Sequence, residues 1–174
     1  MSRRDVPEAP PGPRSLKRDP ALVELSRDHH AALVQALELR RAGRSSAPDV
    51  ARRSVQAYLD FVTAELEGHF ADEEQVVLPA ADAVAPGEAA RVRAEHREIE
   101  RLTAELRERV RAGAELGPLC AELGDLIHDH VRFEERALFD SLQRVLSPEA
   151  LARLGKALEA HRSERGRGPG CALR

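Results

Sequence analysis

Four long stretches with the spacing of amphipathic helices, separated by short breaks that contain proline or glycine, limit the folds open to this chain more than any other feature. The breaks fall at residues 43–49, 85–87, 113–118 and 147–149. Proline and glycine both interrupt helices, so each break ends one helix before the next begins. Long helices joined by short connections lie antiparallel to their neighbours. We therefore predict an all-α fold, an up-down antiparallel four-helix bundle with a short fifth C-terminal helix.

Composition agrees with a helical fold and helps to set the limits of the domain. Aromatic residues make up only 3% of the 174 residues, and the remainder is rich in alanine, leucine, glutamate and arginine, which favour helices. The length suits one domain with a core of its own. The prediction places the bundle at 19–146, a short accessory helix at 147–162, a disordered proline-rich tail at 1–18 and a flexible glycine-rich tail at 163–174.

Two local patterns mark the starts of helices. Asp19 precedes Pro20, and such an aspartate can cap free amides while proline at the first helical position lacks the amide that would go unpaired. Ser46 is followed three residues later by Asp49, which is a capping-box pattern. The first helix is therefore predicted to begin at Pro20 and the second at about residue 48.

The charge pattern and the short apolar runs argue against two classes of partner. The 27 basic and 30 acidic residues alternate along the chain and leave a net charge of −3, so nothing indicates nucleic-acid binding. No apolar run approaches the roughly 20 residues that a membrane-spanning helix needs. Cys120 and Cys171 form no disulfide framework. We predict a cytoplasmic protein that binds neither membranes nor nucleic acid.

The second and fourth helices each carry a histidine with a glutamate one turn later. At 100° per residue, His69 and Glu73 share a face with core residues, whereas Glu74 points away. Glu65 falls on the same face as His69, as an outer partner of the site or a carboxylate at the bundle end. In the fourth helix the inward pair is His130 and Glu134, while His128 and Glu135 lie near the opposite side.

The first and third helices add one inward histidine each. His96 lies in the apolar stripe of the third helix beside Ile99, with Glu100 near the edge of that stripe. His29 lies at the centre of the first stripe and His30 at its edge. His30, His128 and His161 are interpreted as surface residues, and Cys120 as a small packing residue.

Every long helix thus directs one histidine into the bundle, and burying these groups without partners would cost several kcal/mol each. A single inward histidine is more often a hydrogen-bonded core residue, but four histidines with two carboxylates favour a metal site. Histidine and carboxylate sites in helical bundles hold two iron or manganese ions. The predicted ligands are His29, His69, Glu73, His96, His130 and Glu134.

These motifs resemble those of the hemerythrin-like family, also called the HHE cation-binding domain. The matching segments are residues 25–29 (LSRDH), 69–74 (HFADEE), 96–99 (HREI) and 130–135 (HVRFEE). They stand in the family's order over about residues 20–145, and the HFADEE segment is the most specific of them.

The resemblance implies a left-handed four-helix bundle around a non-haem di-iron centre with carboxylate bridges and a position open to dioxygen or another small ligand. It makes the four inward histidines terminal ligands and Glu73 and Glu134 the bridges. Some family members place the last bridging acid five residues after the histidine, which would select Glu135. Zinc or manganese is a further option, since ligand type fixes metal identity only loosely.

The chain departs from the family pattern at one position. Oxygen-carrying hemerythrins have a further histidine one turn before the one matched by His96, and here that residue is Val92. One iron then lacks a nitrogen ligand unless His30, Glu65, Glu100 or water takes its place. The departure disfavours simple reversible oxygen carriage and implies a more open, more reactive iron.

The leading interpretation is a non-haem di-iron protein that binds or senses dioxygen, nitric oxide or peroxide, or handles iron. One alternative is a di-iron redox enzyme with peroxidase-like or nitric-oxide-reacting activity. The other is a metal-free helical interaction module in which the histidines are core polar residues. The sequence shows no separate nucleophile or acid–base pair, so it leaves open whether the protein is an enzyme.

Overall fold

The computed structural model describes residues 17–45 and 47–166, which form five helices and no strand. The helices are α1 (Val23–Arg44), α2 (48–82), α3 (Pro86–Ala112), α4 (117–145) and α5 (Pro148–Gly166). Helix α1 packs against α2 and α4, and α3 packs against the same two helices, which closes a four-helix bundle. The predicted all-α helical bundle is confirmed, and no helix of the described residues is long and apolar enough to cross a membrane.

Helices α2 and α4 are continuous but contain wider turns of π-helix. Helix α2 has π segments at Val62–Leu66 and Glu73–Val77, and α4 has one at Glu134–Leu138. Each π turn accommodates one residue more than an α turn, so it rotates the residues on either side relative to each other. The positions of these segments decide which side chains face the bundle interior.

The predicted start of the first helix is confirmed in its detail. The Asp19 side chain accepts a hydrogen bond of 2.9 Å from the amide of Ala21 and begins a short 3-10 turn, Pro20–Leu22, that leads into α1. Helix α2 begins at Pro48, as predicted, and Ala47 before it provides no side-chain cap. Ser46, the first residue of the predicted capping box, lies outside the described residues.

Both predicted tail boundaries need correction. Arg18 is held in place, because its guanidinium lies 2.6 Å from Glu135 Oε2 and donates to Gln143 Oε1 at 2.8 Å. Helix α5 continues through residues 163–166, which were predicted to belong to the flexible tail. Charged side chains at both ends therefore find partners on the bundle, which composition alone does not reveal. Residues 1–16 and 167–174 lie outside the described residues.

Among the described residues, the buried apolar side chains form two clusters, and both clusters contact the inward histidines. One cluster belongs to the four-helix bundle and includes Leu39, Tyr58, Leu106 and Leu123. The other reaches the C-terminal helix and includes Leu22, Leu78, Phe139 and Leu154. The ring of Phe70, from the first cluster, stacks on His96 at 3.9 Å, and that of Phe139, from the second, stacks on His29 at 5.4 Å between centroids.

Close packing of α1 on α4 depends on Gly124. A Cβ at this position would lie 2.7 Å from the backbone oxygen of Ala36. Gly124→Ala is therefore expected to push the helices apart and to lower the free energy of unfolding by about 1–3 kcal/mol, measured by denaturant unfolding. Gly87→Ala is the control, because a Cβ there meets nothing within 4 Å. Equal stability of the Gly124→Ala variant and the wild type would contradict this account of the packing.

Candidate metal centre

Six polar side chains from α1, α2, α3 and α4 meet inside the bundle. Their exposed fractions lie between 0% and 5%, so all six are shielded from water. They form two groups in which one ligand atom from every residue lies within 4.8 Å of the others. The first group is His29, His69, Glu73 and Glu134, and the second is Glu73, His96, His130 and Glu134. The structure thus brings together every residue that the sequence predicted, and their metal ligation stays a prediction.

The Nε2 atoms of the histidines approach the shared carboxylates at similar distances. The separations are 3.1 Å for His29 and 3.3 Å for His130 from Glu134 Oε2, and 3.3 Å for His69 and 3.2 Å for His96 from Glu73 Oε2. Donor atoms that each lie about 2 Å from one central ion are roughly 3 Å or more apart. The spacing of both groups therefore fits a metal ion at the centre of each.

The hydrogen-bonding state of these atoms is the strongest sign that the site suits a cation. Both carboxylate oxygens of Glu73 and of Glu134 are buried without a hydrogen-bond partner among the described residues, and so are the Nε2 atoms of His96 and His130. Two carboxylates without partners in a protein interior are costly unless a cation compensates them. The donor set therefore fits metal ions better than it fits a network of hydrogen bonds.

The Nδ1 atoms of the same histidines point outwards, and each meets another carboxylate. The four pairs are His29 with Glu135 at 2.7 Å, His69 with Asp28 at 3.4 Å, His96 with Glu74 at 3.1 Å and His130 with Glu95 at 3.0 Å. A carboxylate at Nδ1 keeps the proton on that nitrogen and leaves the Nε2 lone pair free, as a metal ligand requires. We call these four acids the outer carboxylates.

The outer carboxylates connect the helices in a closed ring. Asp28 of α1 accepts from the α2 histidine, Glu74 of α2 from the α3 histidine, and Glu95 of α3 from the α4 histidine. Glu135 of α4 then accepts from the α1 histidine and completes the circuit. Each helix therefore supplies one histidine to the centre and one carboxylate to the next helix.

Sequence reasoning missed the role of the outer carboxylates, although a signal was present. Each of them is adjacent in sequence to an inward residue, which places it about 100° away on the helix and towards the neighbouring helix. Glu74 and Glu135 were correctly placed off the inward face, but their contact with a histidine of another helix needs the packed bundle. Glu135, the alternative bridge, contacts the outer nitrogen of His29 and belongs to neither group.

The prediction that Glu65 shares the inward face of His69 is wrong. Glu65 is exposed, although His69 four residues later is buried. The reason is the π segment Val62–Leu66, which breaks the 100° periodicity on which the prediction rested. The segments that begin at Glu73 and at Glu134 come after the histidine of each pair, so the His-x-x-x-Glu spacing keeps its inward face.

The other candidates for the place left by Val92 also lie away from the centre. His30 and Glu100 are exposed, and Val92 is fully buried. Neither group of candidate ligands contains any of these residues. Each group therefore offers two imidazoles and two carboxylates. Because Val92 stands where oxygen-carrying hemerythrins have a further histidine, neither group has a third imidazole, and the two groups are alike in composition.

Of the three histidines interpreted as surface residues, only His161 is misplaced. Its side chain is 20% exposed, and its Nδ1 donates to the buried Asp72 at 2.8 Å. His128 is half-buried at the bundle surface and contacts the neighbouring Asp129. Cys120 is buried among apolar residues, as predicted, whereas Cys171 lies outside the described residues.

Burial and neighbouring carboxylates shift the protonation of the centre in opposite directions. Burial alone lowers the pKa of His29, but the negative carboxylates of Glu134, Glu135 and Glu73 around it outweigh burial and raise this pKa well above its usual 6.5. Burial likewise opposes the positive charge of His96, yet Glu73 raises its pKa. The imidazoles in turn hold the pKa of Glu73 well below its usual value despite complete burial. Both histidine shifts have one cause, since a proton on His29 or His96 is favoured by the buried carboxylates beside it.

The outer carboxylates lead to a direct prediction. Glu95→Gln is expected to weaken metal binding about 10–100-fold at the position held by His96 and His130, because His130 loses the partner that orients it. Competition with a chelator of known affinity measures this change. Glu98→Gln on the same helix is the matched control, since Glu98 contacts Arg101 and no histidine. Equal affinities for these two variants would show that Glu95 does not support the ligand.

Comparison with known proteins gives one family match. The family model of the hemerythrin HHE cation-binding domain matches residues 21–142, which is most of the chain and contains all six inward residues. No curated protein and no solved structure matches the chain significantly. The match agrees with the bundle and with the two groups of histidines and glutamates, and the chain belongs to the hemerythrin HHE cation-binding domain family.

Proposed function

We propose that the protein is a non-haem di-iron protein. His29 and His69 would hold one ion, His96 and His130 would hold the other, and Glu73 and Glu134 would contribute to both positions. The observation that carries the proposal is a pair of fully buried carboxylates, each common to both groups of candidate ligands and each without a hydrogen-bond partner in the part of the chain that the structure describes. One cation beside each pair of imidazoles would compensate both carboxylates.

Iron is the metal that this donor set favours. Imidazole nitrogen suits iron and zinc, carboxylate oxygen suits harder ions such as manganese, and carboxylate-rich helical bundles hold pairs of iron or manganese ions. Each group supplies two nitrogen residues and two carboxylates. With four residues in each group, the site would leave room for a small exogenous ligand on an ion that prefers six ligands.

The bound iron would supply ligand binding and electron transfer, and the chain would control what reaches it. The rings of Phe70 and Phe139 cover two of the histidines and limit the access of water. A cleft of about 290 Å³ between α2 and α3 runs past Val62, Leu66 and Ile99 to the ring of Phe70. One side of this cleft is apolar, and the rest is lined by Glu67, Glu100, Thr103 and Arg107. Dioxygen, nitric oxide and peroxide are the small ligands proposed to approach the iron by this route.

Metal analysis with an optical response tests the proposal. The protein is purified with and without air, its metal content is determined, and absorption spectra are recorded before and after dioxygen or nitric oxide is added. We expect about two irons per chain and new absorption bands with at least one of the two gases. Protein without metal, or with zinc and no response, would contradict the di-iron proposal.

A further inference from the structure

A group of charged residues outside the metal centre holds helix α5 on the bundle. Asp72 of α2 is fully buried, and three α5 side chains surround it. His161 Nδ1 lies 2.8 Å from its Oδ1, Arg162 Nε lies 2.7 Å from its Oδ2, and Arg165 also binds this carboxylate. A buried carboxylate needs such compensation, so α5 is fixed here by charge as well as by apolar contacts.

Arg162 also connects α5 to the metal centre. Its Nη2 donates to Asp28 Oδ2 at 2.6 Å, and the same oxygen accepts from His69 Nδ1 at 3.4 Å. One guanidinium therefore contacts Asp72 on α2 and Asp28 on α1 at once. Arg162 and His69 are separated by a single carboxylate.

The turn of α2 that carries His69 is shaped to receive α5. Arg165 donates to the backbone oxygen of Gly68, the residue before His69. A Cβ at residue 68 would lie 2.9 Å from Cζ of Arg165, so the absence of a side chain makes room for the guanidinium. Leu151, Leu154 and Leu158 of α5 are buried. The position of α5 over the His69 turn is thus defined by independent contacts.

The other histidine of the same group is held in a similar way from the N-terminal side. Arg18 lies 2.6 Å from Glu135 Oε2, and Glu135 accepts from His29 Nδ1. Arg18 and Arg162 both lie outside the residues matched by the family model, 21–142. The outer carboxylates of the second group differ, because neither is held by Arg18 or by helix α5. Glu95 pairs with Arg91 of its own helix, and the Glu74 side chain is 46% exposed.

We propose that Arg18 and Arg162 are positioning residues that hold His29 and His69 through Glu135 and Asp28. The segments on either side of the family domain thereby control one of the two metal positions and leave the other to the bundle alone. This inference rests on the proposed di-iron function. It makes the ion at His29 and His69 the one whose retention depends on the docked termini.

The test compares Arg162→Gln and Arg18→Gln with Arg165→Gln. Arg165 helps to hold α5 through Asp72 and Gly68 but contacts neither Asp28 nor a histidine, so its variant controls for docking of the helix. Iron-loaded proteins are mixed with an excess of a chromogenic iron chelator, and iron release is followed over time. We expect one of the two ions to leave Arg162→Gln and Arg18→Gln about 10–100-fold faster than it leaves the wild-type protein. In Arg165→Gln, both ions are expected to leave at the wild-type rate.

Two further measurements test whether Arg162 acts on His69 through Asp28. If Arg162 acts through Asp28, the double variant Asp28→Asn/Arg162→Gln releases iron no faster than Asp28→Asn alone. Proton–nitrogen NMR of the histidine rings in the protein as purified reports the Nδ1 environment directly. Arg162→Gln is expected to shift the signals of His69 and to leave those of His96 and His130 unchanged.

Several outcomes would overturn the inference. They are unchanged release in Arg162→Gln, equal acceleration of both ions, and the same acceleration in Arg165→Gln, which would assign the effect to helix docking. Each of these leaves two irons in the wild-type protein and so leaves the proposed function intact. A wild-type protein that takes up no iron contradicts the function instead, and unchanged His69 signals in Arg162→Gln then reject the positioning role as well.

Discussion

Replacing Glu73 by alanine is expected to reduce the bound metal from about two ions per chain to none. Glu73 is the residue of α2 that belongs to both groups of ligands, so its loss removes an oxygen donor from each. It also leaves the imidazoles facing each other with one buried carboxylate in place of two, which weakens the attraction for any cation. Metal analysis after purification and after reconstitution with ferrous iron measures the change.

Histidine variants separate the two positions. His69→Ala is expected to remove the ion of the first group and to keep the other, while His130→Ala does the reverse. His128→Ala is the control on the same helix as His130, because His128 is directed to Asp129 at the bundle surface. Loss of metal in His128→Ala with full retention in His130→Ala would show that the inward face of α4 is wrongly assigned.

Removal of the metal by a chelator is expected to lower the stability of the fold by about 4 kcal/mol for each ion present at 1,000 times its dissociation constant. For a chain of this length that corresponds to a fall in Tm of roughly 10 °C or more per ion. The physical reason is that ions bound only to the folded state add their binding free energy to folding. Thermal unfolding with and without chelator gives the difference, and identical curves would contradict a metal centre.

The difference in stability between the metal-loaded and the metal-free protein is expected to grow as the pH rises. His29 and His96 have a raised pKa in the folded protein, so without metal their protonation stabilises the fold. This contribution is complete below the usual histidine pKa of 6.5 and is lost as the pH rises through the raised pKa of each residue. The lowered pKa of Glu73 acts at the other end, because its contribution is lost only as the pH falls through that lowered value. Bound metal replaces the histidine protons, so the loaded protein keeps its stability at alkaline pH. A metal effect that shrinks between pH 6 and pH 9 would contradict this linkage.

Sequence periodicity was sufficient for the bundle and for the six inward residues because both depend on one helix at a time. His96 and His130 could be placed from the apolar residues around them, without knowledge of their neighbours. The prediction for Glu65 failed because the π segment Val62–Leu66 changes the direction of its side chain and leaves no clear pattern in the sequence. The contacts of Arg18 with Glu135 and of Arg162 with Asp28 join residues more than 100 positions apart, so no local sequence pattern predicts them.

The ring of outer carboxylates has a consequence for how the helices are aligned along their axes. An apolar stripe presents another apolar residue about one turn, or 5.4 Å, along the helix, so apolar contact by itself is a weak guide to the alignment of two helices. The pairs between Asp28 and His69, or Glu95 and His130, do not survive a slide of one turn. Because every helix takes part in two of these pairs, a shift of one helix breaks two contacts at once. Specific polar pairs can select one arrangement among apolar alternatives, and here they would fix the register of all four helices at the level where the metal ligands must meet.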